Sequence, residues 1–154
     1  RPSQVPTTAV ASGTNGSGAA RICELLAVGD VERLTGLRVR TQDDTPVAEN
    51  SANCRWLLDP PPNAVFLNVA APNAGVDVND LFHATIQSMA GQPVPGLGAS
   101  SWQGTGPDDG LVVLKAGYVL KLTVEGAGSR AGPRSRNDDE HLAQLLATQL
   151  VARM

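Results

Sequence analysis

Ser51-Ala52-Asn53-Cys54-Arg55-Trp56-Leu57-Leu58-Asp59 is the stretch whose alternation decides the fold. In an extended chain Ala52, Cys54, Trp56 and Leu58 fall on one side, and Asn53, Arg55 and Asp59 on the other. A period of two with one apolar side predicts a strand lying against a core. The stretch holds one of the chain's two cysteines and one of its two tryptophans. The other cysteine, Cys23, lies upstream beside Leu25 and Leu26. A Cys23–Cys54 disulfide pinning the start of the domain to this strand is the preferred reading, with Trp56 packed nearby. The alternative is a pair of buried, reduced thiols, since free cysteine behaves as a small hydrophobe.

Outward from that strand, Asp59-Pro60-Pro61-Pro62-Asn63 is a turn that neither helix nor ladder crosses. Ala64 to Ala70 reads as its antiparallel partner. Upstream, Val28 to Thr35 predicts a short helix with Gly36 just past its end. Leu37 to Arg40 reads as a strand and the polar Thr41 to Asn50 as an exposed loop. Downstream, Asp77 is placed to cap a helix on which Val78, Leu81, Phe82, Thr85, Ile86 and Met89 recur at helical spacing, with Gly91 closing it. The run Pro93 to Trp102 is a Pro- and Gly-fixed loop that delivers Ala99 to Gln103 into a strand. Leu111 to Lys115 and Tyr118 to Val124 flank Ala116-Gly117, a hairpin signal. Asn137 is placed to cap a last helix striped by Leu142, Leu145, Leu146 and Leu150, with Glu140 completing a capping box.

Short connections between strands predict an α+β fold. The expected form is a two-layer sandwich, a mostly antiparallel sheet of about five or six strands with helices on one face. The expected core includes Trp56, Leu81, Phe82, Ile86, Leu120, Leu122, Leu145 and Leu146.

The chain has 154 residues, 42% of them hydrophobic but 3% aromatic, and a net charge of −3. That length suits one domain, and the acidic balance argues against nucleic acid as a partner. Residues 1 to 20 are rich in Pro, Ser, Thr, Gly and Ala and read as a flexible tail, leaving 21 to 154 as the globular domain. The first residue is Arg, so a leader is expected to have been removed. This extracytoplasmic character is what favours the disulfide. Closing a loop of roughly 32 residues is worth on the order of 3.7 kcal/mol by the chain-entropy model.

The chemistry-bearing residues are few. His83 and His141 are expected to be structural or solvated, and no His/Cys cluster has zinc-ligand spacing. Ser100 and Ser101 lie near a Gly-rich turn without a placed His or Asp. Pro95-Gly96-Leu97-Gly98 lacks the Lys-Ser/Thr ending of a phosphate loop. Asp43-Asp44 and Asp108-Asp109 read as solvated turn residues, with a loose calcium site as the alternative. Arg130, Arg134 and Arg136 are the candidates for contact with an anionic surface. No catalytic set, metal site or cofactor is expected.

One family resemblance is carried by Ile22-Cys23-Glu24-Leu25-Leu26 before a helix ending Leu34-Thr35-Gly36. It continues in Asn53-Cys54-Arg55-Trp56, in Val94-Pro95-Gly96-Leu97-Gly98-Ala99-Ser100-Ser101-Trp102 and in the run Leu111 to Val124. Over about residues 21 to 154 the chain resembles small secreted lipoproteins of actinobacteria that are grouped as a domain of unknown function. The resemblance implies export, lipid attachment upstream of Arg1 and pairing of the two cysteines. It implies no activity, because that family has no catalytic residues to carry over. The function expected is a non-enzymatic, membrane-anchored domain of the cell envelope that binds a partner protein or an envelope ligand. The alternatives are a carrier of a lipid or other small apolar molecule and a hydrolase using Ser100 or Ser101.

Overall fold

The computed structural model describes residues 17–48, 50–105, 109–125 and 136–154. In chain order the elements are α1 (Ser17–Glu24), α2 (Val28–Thr35), β1 (Val39–Ala48), β2 (Ser51–Leu58) and β3 (Ala64–Ala70). They continue with α3 (Val78–Ile86), β4 (Gly91–Pro93), β5 (Ser100–Gly104), β6 (Leu111–Lys115), β7 (Tyr118–Glu125) and α4 (Arg136–Ala152). The strands form one seven-stranded sheet in the order β1-β2-β3-β7-β6-β5-β4. Every pairing is antiparallel. The fold is α+β, with more strands than the five or six expected.

The Cys54 strand is central to the larger core. Ala52, Cys54, Trp56 and Leu58 are each at most 1% exposed. On the same side of the sheet Val65, Leu67 and Val69 of β3 join Leu120 and Leu122 of β7 and Leu111 and Val113 of β6. Ala19, Ile22 and Cys23 of α1, Val31 of α2, and Leu142, Leu146 and Leu150 of α4 complete this cluster.

The expectation of helices on one face is corrected. On the opposite side Val112, Leu114 and Val119 form a second cluster with Phe82 and Met89, and Val78, Leu81, Ile86 and Trp102 pack against it. So α3 covers the β5–β6–β7 half of the far face. The reason is in β6, whose first four residues are all buried. A continuous apolar run needs cover on both sides.

Three further boundaries differ from the expectations. The stretch read as a loop after Arg40 is strand β1, paired with β2 from Val39 opposite Leu58 to Ala48 opposite Ser51. As an edge strand it is held from one side, and residues 41 to 45 are all exposed, so no hydrophobic alternation marks it. Pro46 is tolerated there because an edge strand has N–H groups with no ladder partner. Part of the stretch read as a tail is helix α1, which starts at Ser17 with Ala19 1% exposed, while residues 1 to 16 lie outside the described residues. Ala19, Ile22, Cys23 and Leu26 share one helical side, which gives the segment an apolar face to bury. Finally, α3 stops at Ile86 rather than running to Gly91. Met89 and its carbonyl are used instead by the sheet, Trp102 Nε1 donating to Met89 O at 3.2 Å.

Other local expectations hold. Gly36 ends α2 with φ 73° and donates its N–H to Glu32 O at 2.9 Å. The Asp77 side chain accepts from Asn79 N at 2.7 Å as the cap of α3. Ala116 and Gly117 have φ 53° and 85°, the paired positive values of a tight two-residue hairpin. The expected Asn137 cap does not hold: the last helix begins at Arg136, so Asn137 lies inside it.

Candidate functional site

Cys23 and Cys54 form a disulfide with Cα atoms 5.9 Å apart, within the ordinary range. It ties α1 to β2 across the core, and the described cysteines include no free thiol. The carboxylate of Asp44 lies within 4.8 Å of both sulfurs. These three residues are a potential metal-ligand group, but both sulfurs are committed to each other and no thiolate is offered. Asp43 and Asp44 are not turn residues. They are neighbours in β1 and therefore point to opposite faces of the sheet. Desolvation beside the disulfide raises the Asp44 carboxyl above the ordinary carboxylate value, opposed by a 2.7 Å hydrogen bond from Gln42 Nε2 and reinforced by the charges of Glu24 and Asp43.

The other residues singled out in the sequence scatter. Trp56 is fully buried, and Phe82, Leu120, Leu122 and Leu146 are at most 4% exposed. Leu81 and Ile86 are half-buried against the second cluster. Leu145 is 37% exposed and is not core. The buried stripe of α4 is Leu142, Ala143, Leu146, Ala147 and Leu150. At about 100° per residue Leu145 falls roughly 130° from its centre. Arg130 and Arg134 lie outside the described residues, as does the side chain of Arg136. Ser101 is 6% exposed, and its hydroxyl donates to Val94 O at 2.5 Å. Both His83 and His141 are exposed, and the His83 ring stands edge-on to Phe82 at 5.6 Å.

What the tertiary structure brings together is a different set. Because α3 covers half of the far face, the β1–β2–β3 side, with Lys121 and Thr123 of β7, lies open. Two cross-strand rows run across it. In one, Asp43, Arg55, Phe66 and Thr123 stand opposite one another, and in the next Thr45, Asn53, Asn68 and Lys121 do so. The rows line a groove of about 490 Å³, a size within the range of small-ligand sites. Arg55 Nη2 donates to Asp43 Oδ2 at 2.8 Å, with both side chains 50% exposed. Asn68 Nδ2 donates to Asn53 Oδ1 at 2.6 Å. That bond leaves the Asn53 amide N–H groups and the Asn68 carbonyl without a partner among the described residues. The half-buried Lys121 likewise makes no hydrogen bond or ion pair with another described residue.

A second, shallower depression of about 550 Å³ lies between α3 and β5, beside Asp80, His83, Gln87 and Trp102. Its aromatic N–H is already used by Met89 O. The open-face groove is the stronger candidate, since it holds a charge and hydrogen-bonding groups that no other described residue satisfies. Alternation marks Asn53 and Arg55 as the polar side of β2 but does not connect them to Asn68 and Lys121. Only the register does that. The available signal was polar alternation in β2 and β7 and the single Asn68 in the otherwise apolar β3.

The chain matches no family model, no curated protein and no solved structure. No helix among the described residues is long and apolar enough to cross a membrane.

Proposed function

We propose that the domain is a non-enzymatic binding module of the cell envelope, exported and held outside the cytoplasm by a lipid anchor upstream of Arg1, that meets its ligand or partner on the open half of its sheet. The observation that carries this is the groove across β1, β2, β3 and β7, where polar groups, some without a partner among the described residues, converge on an antiparallel scaffold. The Cys23–Cys54 bridge supports an oxidising compartment, because disulfides persist there and are rare in the cytosol.

The carrier reading is less favoured. A carrier needs space between sheet and helices, and there Trp56, Leu58, Leu67, Leu122, Leu146 and Leu150 are each at most 1% exposed in one packed cluster. The serine hydrolase reading is weakened by the buried Ser101 hydroxyl, which is already bonded to a backbone carbonyl.

Native mass spectrometry on protein recovered gently from its host's membranes tests the proposal, beside a denatured, non-reduced spectrum. The denatured mass is expected to show one disulfide and a covalent lipid. The native spectrum is expected to carry an additional non-covalent mass, lost when Asn68→Trp fills the groove. An unlipidated chain from the soluble fraction would sink the envelope assignment. A bound mass unaffected by Asn68→Trp would move the binding surface elsewhere.

A further inference from the structure

The groove's chemistry narrows its occupant, on the reading that the open face is the binding surface. Three inter-strand steps of about 4.8 Å make the patch roughly 14 Å across, room for two or three pyranose rings. Its floor holds Phe66, half-buried, with Asn68 two residues along the same strand and Lys121 opposite Asn68 on β7. The Asn53–Asn68 pair presents donors at one end and an acceptor at the other. A hydroxyl group is both donor and acceptor, so adjacent hydroxyls match such a pair. An apolar lipid would leave these groups desolvated and unpaired. A peptide strand would pair at a sheet edge rather than on a sheet face. The charge is matched as well: Arg55 is engaged by Asp43, and Lys121 is left as a cation unpaired among the described residues. One negative charge complements it.

We propose that the groove binds an acidic saccharide, with a sugar ring on Phe66, its hydroxyls across the Asn53–Asn68 pair and its carboxylate on Lys121.

The test is a two-dimensional amide NMR titration of the full chain. The probes are a glucuronate-containing disaccharide, the same disaccharide with its carboxylate reduced to the alcohol, acetate and inorganic phosphate. The acidic disaccharide is expected to shift amides around residues 53–55, 66–68 and 121–123 saturably. The neutral one is expected to bind at least tenfold more weakly, and acetate and phosphate not to compete. Lys121→Met is expected to melt like the parent and to bind the acidic disaccharide no better than the neutral one. Asn68→Leu is expected to weaken both saccharides. Equal affinity for both disaccharides, full competition by phosphate, or no saturable shift in the groove would each overturn the inference. If the saccharides fail while the envelope-derived protein still carries a mass that Asn68→Trp removes, the open-face reading survives and the acidic saccharide does not. If that mass is also absent, both fall.

Discussion

Trp56 is fully buried, and its indole Nε1 has no hydrogen-bond partner among the described residues. Its contribution is therefore volume and apolar contact rather than polarity. Trp56→Ala is expected to cost roughly 3–5 kcal/mol. Trp56→Phe removes the unsatisfied donor with less lost volume, so its cost is expected to stay below about 2 kcal/mol. Chemical denaturation of both variants checks this, and equal losses would mean that the indole N–H is bonded in solution.

Two aspartates respond to pH with opposite signs. Asp30 accepts from Arg153 Nη1 at 2.5 Å and Arg33 Nη2 at 3.1 Å, and from Ala27 N at 3.1 Å. The Arg153 hydrogen bond, followed by those of Arg33 and Ala27 and offset by some desolvation, lowers its carboxyl to about 2. A depressed value stabilises the fold above the unfolded carboxylate range. That gain is lost as pH falls from about 4 towards 2. Asp30→Asn is expected to cost about 1 kcal/mol at neutral pH and progressively less in acid. Asp44 behaves the other way. Its raised value favours the neutral form, so its contribution is full below the unfolded value and is lost as pH rises through the folded one. Asp44→Asn keeps an acceptor for Gln42 and is expected to raise the melting temperature at pH 7. The gain is expected to vanish below about pH 4. Melting curves from pH 3 to 8 distinguish the two aspartates.

Among the elements, α1 depends most on a single covalent bond. It is eight residues long, too short to be stable alone, and the Cys23–Cys54 bridge attaches it to β2. Reduction, or the paired change Cys23→Ser with Cys54→Ser, is expected to cost about 3–4 kcal/mol by the loop-entropy model. For a domain of this size that is a fall of roughly 7–15 °C in melting temperature. Hydrogen exchange is expected to accelerate in α1 first and to leave the β6–β7 hairpin protected. An unchanged melting temperature would mean that the cysteines are not bridged in solution. The short β4 depends on contact rather than on a bond. At Gly91 an added Cβ would meet the Gln103 carbonyl and Trp102 Nε1, which explains a glycine where the chain leaves α3 and joins the sheet edge.

Across the whole molecule, the two halves of one sheet face have different fates. Val112 on β6 is fully buried beneath α3. Asn53, on the same face of β2, is exposed. Val112→Asp buries a charge with no partner and is expected to prevent folding or cost several kcal/mol. Asn53→Ser is expected to stay within about 0.5 kcal/mol of the parent. Comparable losses at the two positions would show that the β2 half is covered in solution. α2 and α4 are joined at the surface by the Asp30–Arg153 pair, and α4 meets β5 through Gln144 Nε2 donating to Gln103 Oε1 at 3.3 Å. These polar ties hold the helical layer over the larger core and leave the polar half of the far face untouched.

The sequence by itself determined what local chemistry encodes. Period-two alternation located β2 and β7, the Pro-rich turn after Asp59 set off β3, and Ala116-Gly117 between two apolar runs located a hairpin turn. Asp77 and Gly36 marked a helix start and a helix end. The Cys23–Cys54 pairing was legible because two cysteines admit one partner each. Tertiary structure alone decided the rest, because it depends on which surface covers which. Edge strand β1 has no apolar alternation and forms because β2 offers it an unpaired ladder. Leu145 is exposed because small alanines, not leucines alone, bring α4 onto the sheet. The groove exists because α3 is long enough to cover only half of a face. Asn53, Asn68 and Lys121 become neighbours through strand register, a long-range property that no window of sequence contains.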